Sequence, residues 1–245
     1  MKYGLTSVTF RQLDWREIIR IARECNLDGL EWGGDVHVPS GELSHAQKVY
    51  QATVEAGLSV LSYGSYYRLG QGQDFEPVLA VALALRADTI RVWAGAKDSA
   101  QHSAGERARA IRDAQTIADM AGPHGVTVAF EYHRGTLTDT CESALALLEA
   151  VGRENVRTYW QPNPQLAHER NLAELAAVLP WLENVHAFHW TPGGARLPLE
   201  EGMAQWRAYL QTINGRAGAA ILEFVKNDDP AQCARDAASL RRACD

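Results

Sequence analysis

The chain alternates between short β-rich runs and longer helix-patterned segments, and it completes this alternation eight times. The β-rich runs are mostly continuous apolar stretches bounded by Gly, Asn or Asp. That pattern is typical of parallel strands that are covered on both faces. We predict strands at residues 4–8, 29–32, 59–63, 89–93, 127–132, 156–160, 185–189 and 219–224.

Amphipathic segments lie between these runs, most clearly at 15–24, where Asp14 is a candidate N-cap, and at 104–121, 172–182 and 204–213. Eight units in 245 residues average about 31 residues each, the length that a strand and a crossover helix need. No GxGxxG turn follows the first strand, so a closed barrel is favoured over a dinucleotide-binding sheet. We therefore predict an α/β fold with a single-domain (β/α)8 TIM barrel over residues 1–245.

Composition excludes several classes of function. The net charge is −6, and no long basic run offsets it, so binding to nucleic acid or to an anionic membrane is disfavoured. The four cysteines are scattered, without a CxxC pair, which favours reduced thiols over a zinc site or a disulfide framework. There is no apolar stretch typical of a signal peptide and none of the ~18 residues that span a bilayer. We predict a cytoplasmic protein.

Two glutamates follow apolar runs at strand ends: Glu131 follows 126–130, and Glu223 follows 219–222. Active sites of TIM barrels lie at the carboxyl ends of the strands. A partly buried carboxylate there is costly without a cation or a hydrogen-bonded partner, and an arginine ion pair is the alternative to a metal. Together with a histidine at a third strand end, these residues predict a site for one divalent ion, Mn²⁺, Mg²⁺, Co²⁺ or Zn²⁺.

The seventh strand contains two histidines, His186 and His189. Residues three apart in a strand point to opposite faces, so only one of them can face the barrel interior. We predict that His189, which is nearer the strand end, is the metal ligand, and that His186 packs between strand and helix. The same rule places His133 on the side of Glu131.

Aromatic and polar residues at the strand ends suggest a polyol substrate. The rings of Trp32, Tyr66, Trp93, Trp160 and Trp190 are candidates for stacking on the apolar face of a sugar. Polar side chains nearby could bind hydroxyl or phosphate oxygens. The predicted substrate-binding residues are Glu31, His37, Tyr66, Arg91, Trp93, His133, Asn163 and Arg196.

The segments LDGLEWGGD (27–35), AFEYH (129–133), AFHW (187–190) and ILEF (221–224) resemble those of the xylose isomerase-like sugar phosphate isomerase/epimerase family. The resemblance covers essentially the whole chain. In the ketose 3-epimerases of that family, Glu, Asp, His and Glu hold one divalent metal. The resemblance assigns the two glutamates to Glu131 and Glu223 and the histidine to His189.

The chain departs from the family pattern at the Asp position, where it has Gln161. An amide oxygen still coordinates a hard cation but removes one negative charge, so metal affinity or ion preference should change. Asn163 is an alternative ligand, and loss of the metal with reduced catalysis is another outcome. Pro164 stands where the family has a further histidine.

The resemblance implies a metal-dependent sugar or sugar phosphate isomerase/epimerase that transfers a proton next to a carbonyl through an enediolate, with Glu131 and Glu223 as catalytic residues. A keto-polyol dehydratase and a catalytically impaired sugar-binding barrel remain alternatives. The apurinic endonucleases share the barrel but need more histidine and acidic ligands and a basic groove. The expected partner is a small-molecule sugar or sugar phosphate, and the outer helices leave room for a homo-oligomer.

Overall fold

Eight parallel strands pair side by side, and the last pairs with the first to close a barrel. The computed structural model describes residues 1–244. The barrel strands are β1 (Lys2–Thr6), β2 (Gly29–Gly33), β3 (Ser59–Arg68), β4 (Thr89–Trp93), β5 (Thr127–Phe130), β6 (Val156–Trp160), β7 (Leu182–Ala187) and β10 (Ala219–Leu222). A short antiparallel pair, β8 (His189–Trp190) and β9 (Arg196–Leu197), follows β7 outside the barrel sheet. The predicted single-domain (β/α)8 barrel is confirmed.

Helices connect the strands and cover the outside of the barrel. Asp14 caps the first helix as predicted, since its Oδ1 accepts a hydrogen bond from the backbone N–H of Arg16 at 2.9 Å. No described helix is both long and apolar enough to cross a membrane. The helices are α1 (Trp15–Glu24), α2 (Leu43–Glu55), α3 (Glu76–Ala84), α4 (Ala104–Ala121), α5 (Cys141–Val151), α6 (His168–Val178), α7 (Met203–Ile213) and α8 (Pro230–Cys244).

A small apolar cluster, separate from the main core, is built from barrel-strand residues: Leu61, Ala129, Tyr159, Ala219 and Ile221. Glycines on the neighbouring strands make room for it. A Cβ at Gly4 would lie 2.2 Å from Leu61 Cδ1, and a Cβ at Gly29 would lie 2.9 Å from Leu61 Cγ. Tyr159 in turn meets His186 edge-on, at 5.1 Å between ring centroids.

Several strands end earlier than the sequence predicts. β5 ends at Phe130, β10 ends at Leu222 and β7 ends at Ala187. Glu131 and Glu223 are thus the first residues beyond their strands, and His189 lies beyond the barrel sheet altogether. The sixth helix begins at His168 instead of the predicted residue 172.

Candidate active site

A cavity of about 220 Å³ opens at the carboxyl ends of the barrel strands. Glu131 and Glu223 line this cavity. The backbone of each still forms one hydrogen bond to the neighbouring strand. The backbone N–H of Glu131 donates to Val92 O at 2.9 Å, and that of Glu223 donates to Ala187 O at 3.0 Å. These hydrogen bonds at the ends of β5 and β10 therefore fix the backbone positions from which both glutamate side chains extend.

His186 joins the two glutamates in one buried cluster. The Nδ1 atom of His186 lies 3.6 Å from Glu223 Oε2 and 4.0 Å from Glu131 Oε1. One donor atom from each of the three residues lies within 4.8 Å of the others. Such spacing suits ligands that share one cation, because ligand atoms at about 2.0–2.4 Å from an ion lie within roughly 5 Å of each other.

The strand geometry explains why His186 faces inward. Two residues earlier on β7, Asn184 donates from Nδ2 to the hydroxyl of Tyr159 inside the barrel at 2.9 Å. Side chains two apart in a strand share a face, so His186 lies on that same inner side. His186 is completely buried.

Glu31 and Arg91 complete the polar network beside this cluster. Glu31 Oε1 lies 3.2 Å from His186 Nε2 and accepts a hydrogen bond from Arg91 Nε at 3.2 Å. Arg91 also donates from Nη1 to Glu131 Oε2. Ser62 Oγ donates to the other oxygen of Glu31 at 2.9 Å. Arg91 is 2% exposed and Glu31 is 0% exposed, so this network lies away from solvent.

Burial and neighbouring charges oppose each other in this network. Burial raises the pKa of Glu31, but Arg91 and His186 outweigh it and hold that pKa well below its ordinary value. Burial raises the pKa of Glu223, although the charge of His186 works in the opposite direction. Burial lowers the pKa of His186, yet the charges of Glu223 and Glu31 prevail and raise it.

The residues fit a divalent cation in both charge and donor type. Three carboxylates, those of Glu31, Glu131 and Glu223, surround the single guanidinium of Arg91, which leaves two uncompensated negative charges when the imidazole is neutral. Gln161 Oε1 lies 3.1 Å from His186 Nδ1, so the amide oxygen points to the same place as the carboxylates. Two carboxylates, an imidazole and an amide oxygen are ligands that Mn²⁺, Mg²⁺, Co²⁺ and Zn²⁺ accept to different degrees.

The structure does not bring His189, the predicted metal ligand, into the cluster of Glu131 and Glu223. His189 lies on β8, where it pairs with Leu197, and its ring packs against Gly202 and lines a different pocket. His186 occupies the place that the sequence analysis gave to His189. The rule that only one of the two faces inward was sound, but nearness to the strand end was the wrong criterion for choosing.

Five predicted substrate-binding residues line the cavity, and contact with a substrate stays a prediction for them. They are Tyr66, Arg91, Trp93, His133 and Asn163. Tyr66 stacks on Trp93 at 6.2 Å between ring centroids, and the ring of His133 lies 4.5 Å from that of Trp93. These three rings form one wall.

Three other predicted substrate-binding residues do not line the cavity. Glu31 is enclosed in the network described above. His37 is buried, with Nδ1 3.0 Å from Ser7 Oγ and Nε2 3.1 Å from the carbonyl of Leu13. Arg196 pairs with Asp228 and lies over the ring of Phe224, which itself lines the cavity.

Two tryptophans expected to stack on a sugar are core residues instead. Trp32 and Trp160 are both completely buried, and Trp160 packs edge-on against Tyr209. Trp93 and Trp190 do line the cavity. Position near a strand end therefore identified the correct region but not the direction of each ring.

Other lining residues were missed by the sequence analysis. Arg134 is exposed at the rim, and its side chain has no partner within residues 1–244. Arg11 also lines the cavity and donates to Asp35 at 2.6 Å and to the Tyr66 hydroxyl at 2.5 Å. Arg134 could have been predicted to line the cavity, because it follows Glu131 and His133 in the run EYHR at 131–134. Nothing in the local sequence predicts that Arg11 lines it.

The chain matches a known protein family and is similar in sequence to a curated protein. Residues 19–244 match the model of a protein family described as xylose isomerase-like TIM barrel. The chain is 28% identical to a 3-dehydroshikimate dehydratase from Bacillus anthracis, over 91% of each sequence.

Two solved structures have the same fold. One is described as the probable 3-DHS dehydratase involved in petrobactin synthesis from Bacillus anthracis, with a TM-score of 0.84, 22% identity, and coverage of 98% of this chain and 99% of that one. The other is a 3-keto-D-glucoside 4-epimerase from E. coli, with a TM-score of 0.76, 19% identity and full coverage of both chains.

Proposed function

Because the chain belongs to the xylose isomerase-like TIM barrel family, we propose that it is an enzyme that removes a proton next to the carbonyl of a small hydroxylated ketone, and that loss of water follows. The observation that carries this proposal is the buried cluster of Glu131, His186 and Glu223, in which the two glutamates line the cavity. Buried carboxylates beside a cation site suit proton transfer to and from carbon.

The proposed ligands of one divalent ion are Glu131, Gln161, His186 and Glu223. Such an ion, when bound, polarises a carbonyl oxygen and so acidifies the neighbouring C–H bond. The neutral amide of Gln161 replaces a charged ligand, and affinity for hard cations depends on the number of charged ligands. We therefore expect weaker binding than a site with three carboxylates would give.

Glu223 is the proposed base. Glu131 has one oxygen committed to Arg91, which fixes its orientation and reduces its freedom to accept a proton. Among residues 1–244, no guanidinium donates a hydrogen bond to Glu223, and its Oε2 lies 3.6 Å from His186 Nδ1. A positioned carboxylate acting as base contributes about 10²–10⁴-fold to a rate.

The rest of the cavity holds the substrate and excludes water. Phe188, Trp190 and Phe224 cover one side, and Tyr66 and Trp93 cover another. In dehydration, the C–H proton passes to Glu223, the electron pair forms a C=C bond, and the β-hydroxyl leaves with a proton as water. His133, whose ring lines the cavity, is the proposed donor of that proton.

The choice of dehydration rests on similarity in sequence. The chain is 28% identical to a 3-dehydroshikimate dehydratase along 91% of its length, whereas the likeness to the epimerase supports only a shared fold. Elimination of a β-hydroxyl and transfer of the α-proton start from the same deprotonated ketone, so pocket geometry decides between them.

Epimerisation is the second candidate, favoured by the presence of two glutamates at one cluster. If Glu223 removes the proton and Glu131 returns one to the opposite face, the carbon is inverted. This is the isomerase/epimerase activity implied by the family resemblance, with a sugar or a sugar phosphate as substrate. The catalytically impaired sugar-binding barrel is the third outcome.

One experiment separates these outcomes. The protein is incubated in D₂O with Mn²⁺ and either 3-dehydroshikimate or a 3-keto-D-glucoside, and the products are followed by NMR. Loss of water supports dehydration, and inversion with deuterium uptake supports epimerisation. If no substrate loses water or exchanges a proton at a rate above that of the Glu223→Gln control, the proposal is contradicted.

We also propose a cytoplasmic location and a small-molecule partner. Cys25, Cys141, Cys233 and Cys244 are all unpaired thiols, which suits a reducing compartment. The cavity volume of about 220 Å³ suits a small molecule.

A further inference from the structure

A second pocket of about 140 Å³ adjoins the catalytic cavity. The two share five lining residues: Pro162, Asn163, Pro164, Phe188 and Trp190. We call the second one the side pocket. The two pockets are therefore neighbours, and these five residues contribute to the walls of both.

The side pocket differs from the cavity in charge. The catalytic cavity is lined by three arginines, two glutamates and an aspartate. Within residues 1–244, no Arg, Lys, Asp or Glu lines the side pocket. Burial also lowers the pKa of His189, which favours the neutral form of its imidazole. An ionic group is consequently disfavoured here, because it would lose hydration without gaining an opposite charge.

Three groups on its wall can still form hydrogen bonds. The indole N–H of Trp190 is buried without a partner, and the side chains of His189 and Gln205 make no hydrogen bond within the described chain. Buried donors without partners are uncommon in proteins, and a ligand oxygen is one way to satisfy them. The rings of Trp206 and Tyr209 supply the apolar part of the wall.

We infer that the side pocket binds an uncharged hydroxylated ring, such as a pyranosyl group, attached to the reacting ketone. Aromatic rings beside neutral hydrogen-bonding groups match the apolar faces and hydroxyl edges of such a ring. This inference rests on the proposed function for the identity of the reacting group. It assigns His189 and Gln205 to substrate selection and not to metal binding.

The seven tryptophans provide the test. The indole N–H signals of ¹⁵N-labelled protein are assigned with Trp→Phe variants and followed during titration with methyl α-D-glucopyranoside. Trp206 lines only the side pocket, Trp93 lines only the catalytic cavity, and Trp190 lines both. We expect the Trp190 and Trp206 signals to shift and the Trp93 signal to stay in place.

Variants give the control. Gln205→Ala and His189→Ala should each weaken glucoside binding about fivefold, the effect of losing one hydrogen bond. Gln211→Ala, on the exposed face of the same helix, should leave it unchanged. The inference is overturned if no indole signal shifts, if only that of Trp93 shifts, or if binding is unchanged in both pocket variants.

The glucoside titration does not depend on turnover. A protein that binds the glucoside at Trp206 but never exchanges a substrate proton would uphold the side pocket and contradict the proposed function. A protein that exchanges a substrate proton but does not bind the glucoside at Trp206 would support the proposed function and contradict the side pocket.

Discussion

His186 Nε2 lies 3.2 Å from Glu31 Oε1, so the opposite ring nitrogen, Nδ1, is the one that faces Glu131, Glu223 and Gln161. A carboxylate that accepts the N–H of a metal-binding histidine fixes the ring orientation and leaves the other nitrogen free as a ligand. For Glu31, which was predicted to bind substrate, we therefore propose a positioning role behind the cluster.

Replacing Glu31 tests that role. In Glu31→Gln, the neutral amide pairs less well with Arg91 and no longer fixes the protonated nitrogen of His186. We expect affinity for Mn²⁺ to fall about 10–100-fold, the usual effect of losing such a partner. Isothermal titration calorimetry measures it, with the exposed Glu24→Gln as control. Unchanged affinity in Glu31→Gln would show that His186 needs no such support.

A substitution at Gln161 is expected to raise the affinity for Mn²⁺ instead of lowering it. Gln161→Asp adds a negative charge to the ligand set, and affinity rises with the number of charged ligands. We expect Mn²⁺ to bind roughly tenfold or more tightly than to the wild type, by the same calorimetric titration. The shorter Asp side chain must still reach the ion that His186 Nδ1 would bind, so a crystal structure of the variant provides the control. Weaker binding with the carboxylate in place would contradict a ligand role for position 161.

The two glutamates should be essential for turnover and dispensable for folding. Glu131→Gln and Glu223→Gln keep the shape of the side chain, but the first removes a proposed ligand carboxylate and the second removes the proposed base, and we expect rates to fall about 10²–10⁴-fold. Circular dichroism should show an unchanged fold. Full activity in either variant would remove that residue from the mechanism.

The histidines give a paired test of the corrected assignment. His186→Ala should abolish metal binding, whereas His189→Ala should leave it within about twofold of the wild type, because His189 lies outside the cluster. Metal content after dialysis against Mn²⁺, measured by mass spectrometry, distinguishes the two variants. Loss of metal in His189→Ala alone would restore the original prediction.

Gly64 makes room for Arg91. A Cβ at position 64 would lie 2.6 Å from Arg91 Nη2, so Gly64→Ala must displace the guanidinium that holds Glu31 and Glu131. We expect a loss of about 1–3 kcal/mol in the free energy of unfolding, measured by urea denaturation. Gly105→Ala is the matched control, since no atom lies within 4 Å of its Cβ and helix α4 favours alanine. Equal stability of both variants would contradict a tightly packed Arg91.

The sequence predicts the barrel well because its strands are covered on both faces and so appear as continuous apolar runs. It also indicates Glu131 and Glu223, since a carboxylate that ends such a run stands out. Orientation is harder to predict. His186 and His189 are three positions apart. When the strand ends at residue 187 instead of the predicted residue 189, the histidine nearest the strand end is His186 and no longer His189.

Position near a strand end also does not show which polar side chains already have hydrogen-bond or ion-pair partners within the protein. Glu31, His37 and Arg196 each lie close to the expected region but are bonded to other protein groups. Those partners come from elsewhere in the chain. Arg11, conversely, reaches the cavity from a segment that lacks any distinctive motif.

The most direct test is a crystal structure of the protein grown with Mn²⁺ and analysed by anomalous scattering. We predict one peak per chain, about 2.0–2.4 Å from oxygens of Glu131, Gln161 and Glu223 and from Nδ1 of His186. A map without a peak among these residues at saturating Mn²⁺, or with the ion bound at His189 instead, would contradict the account.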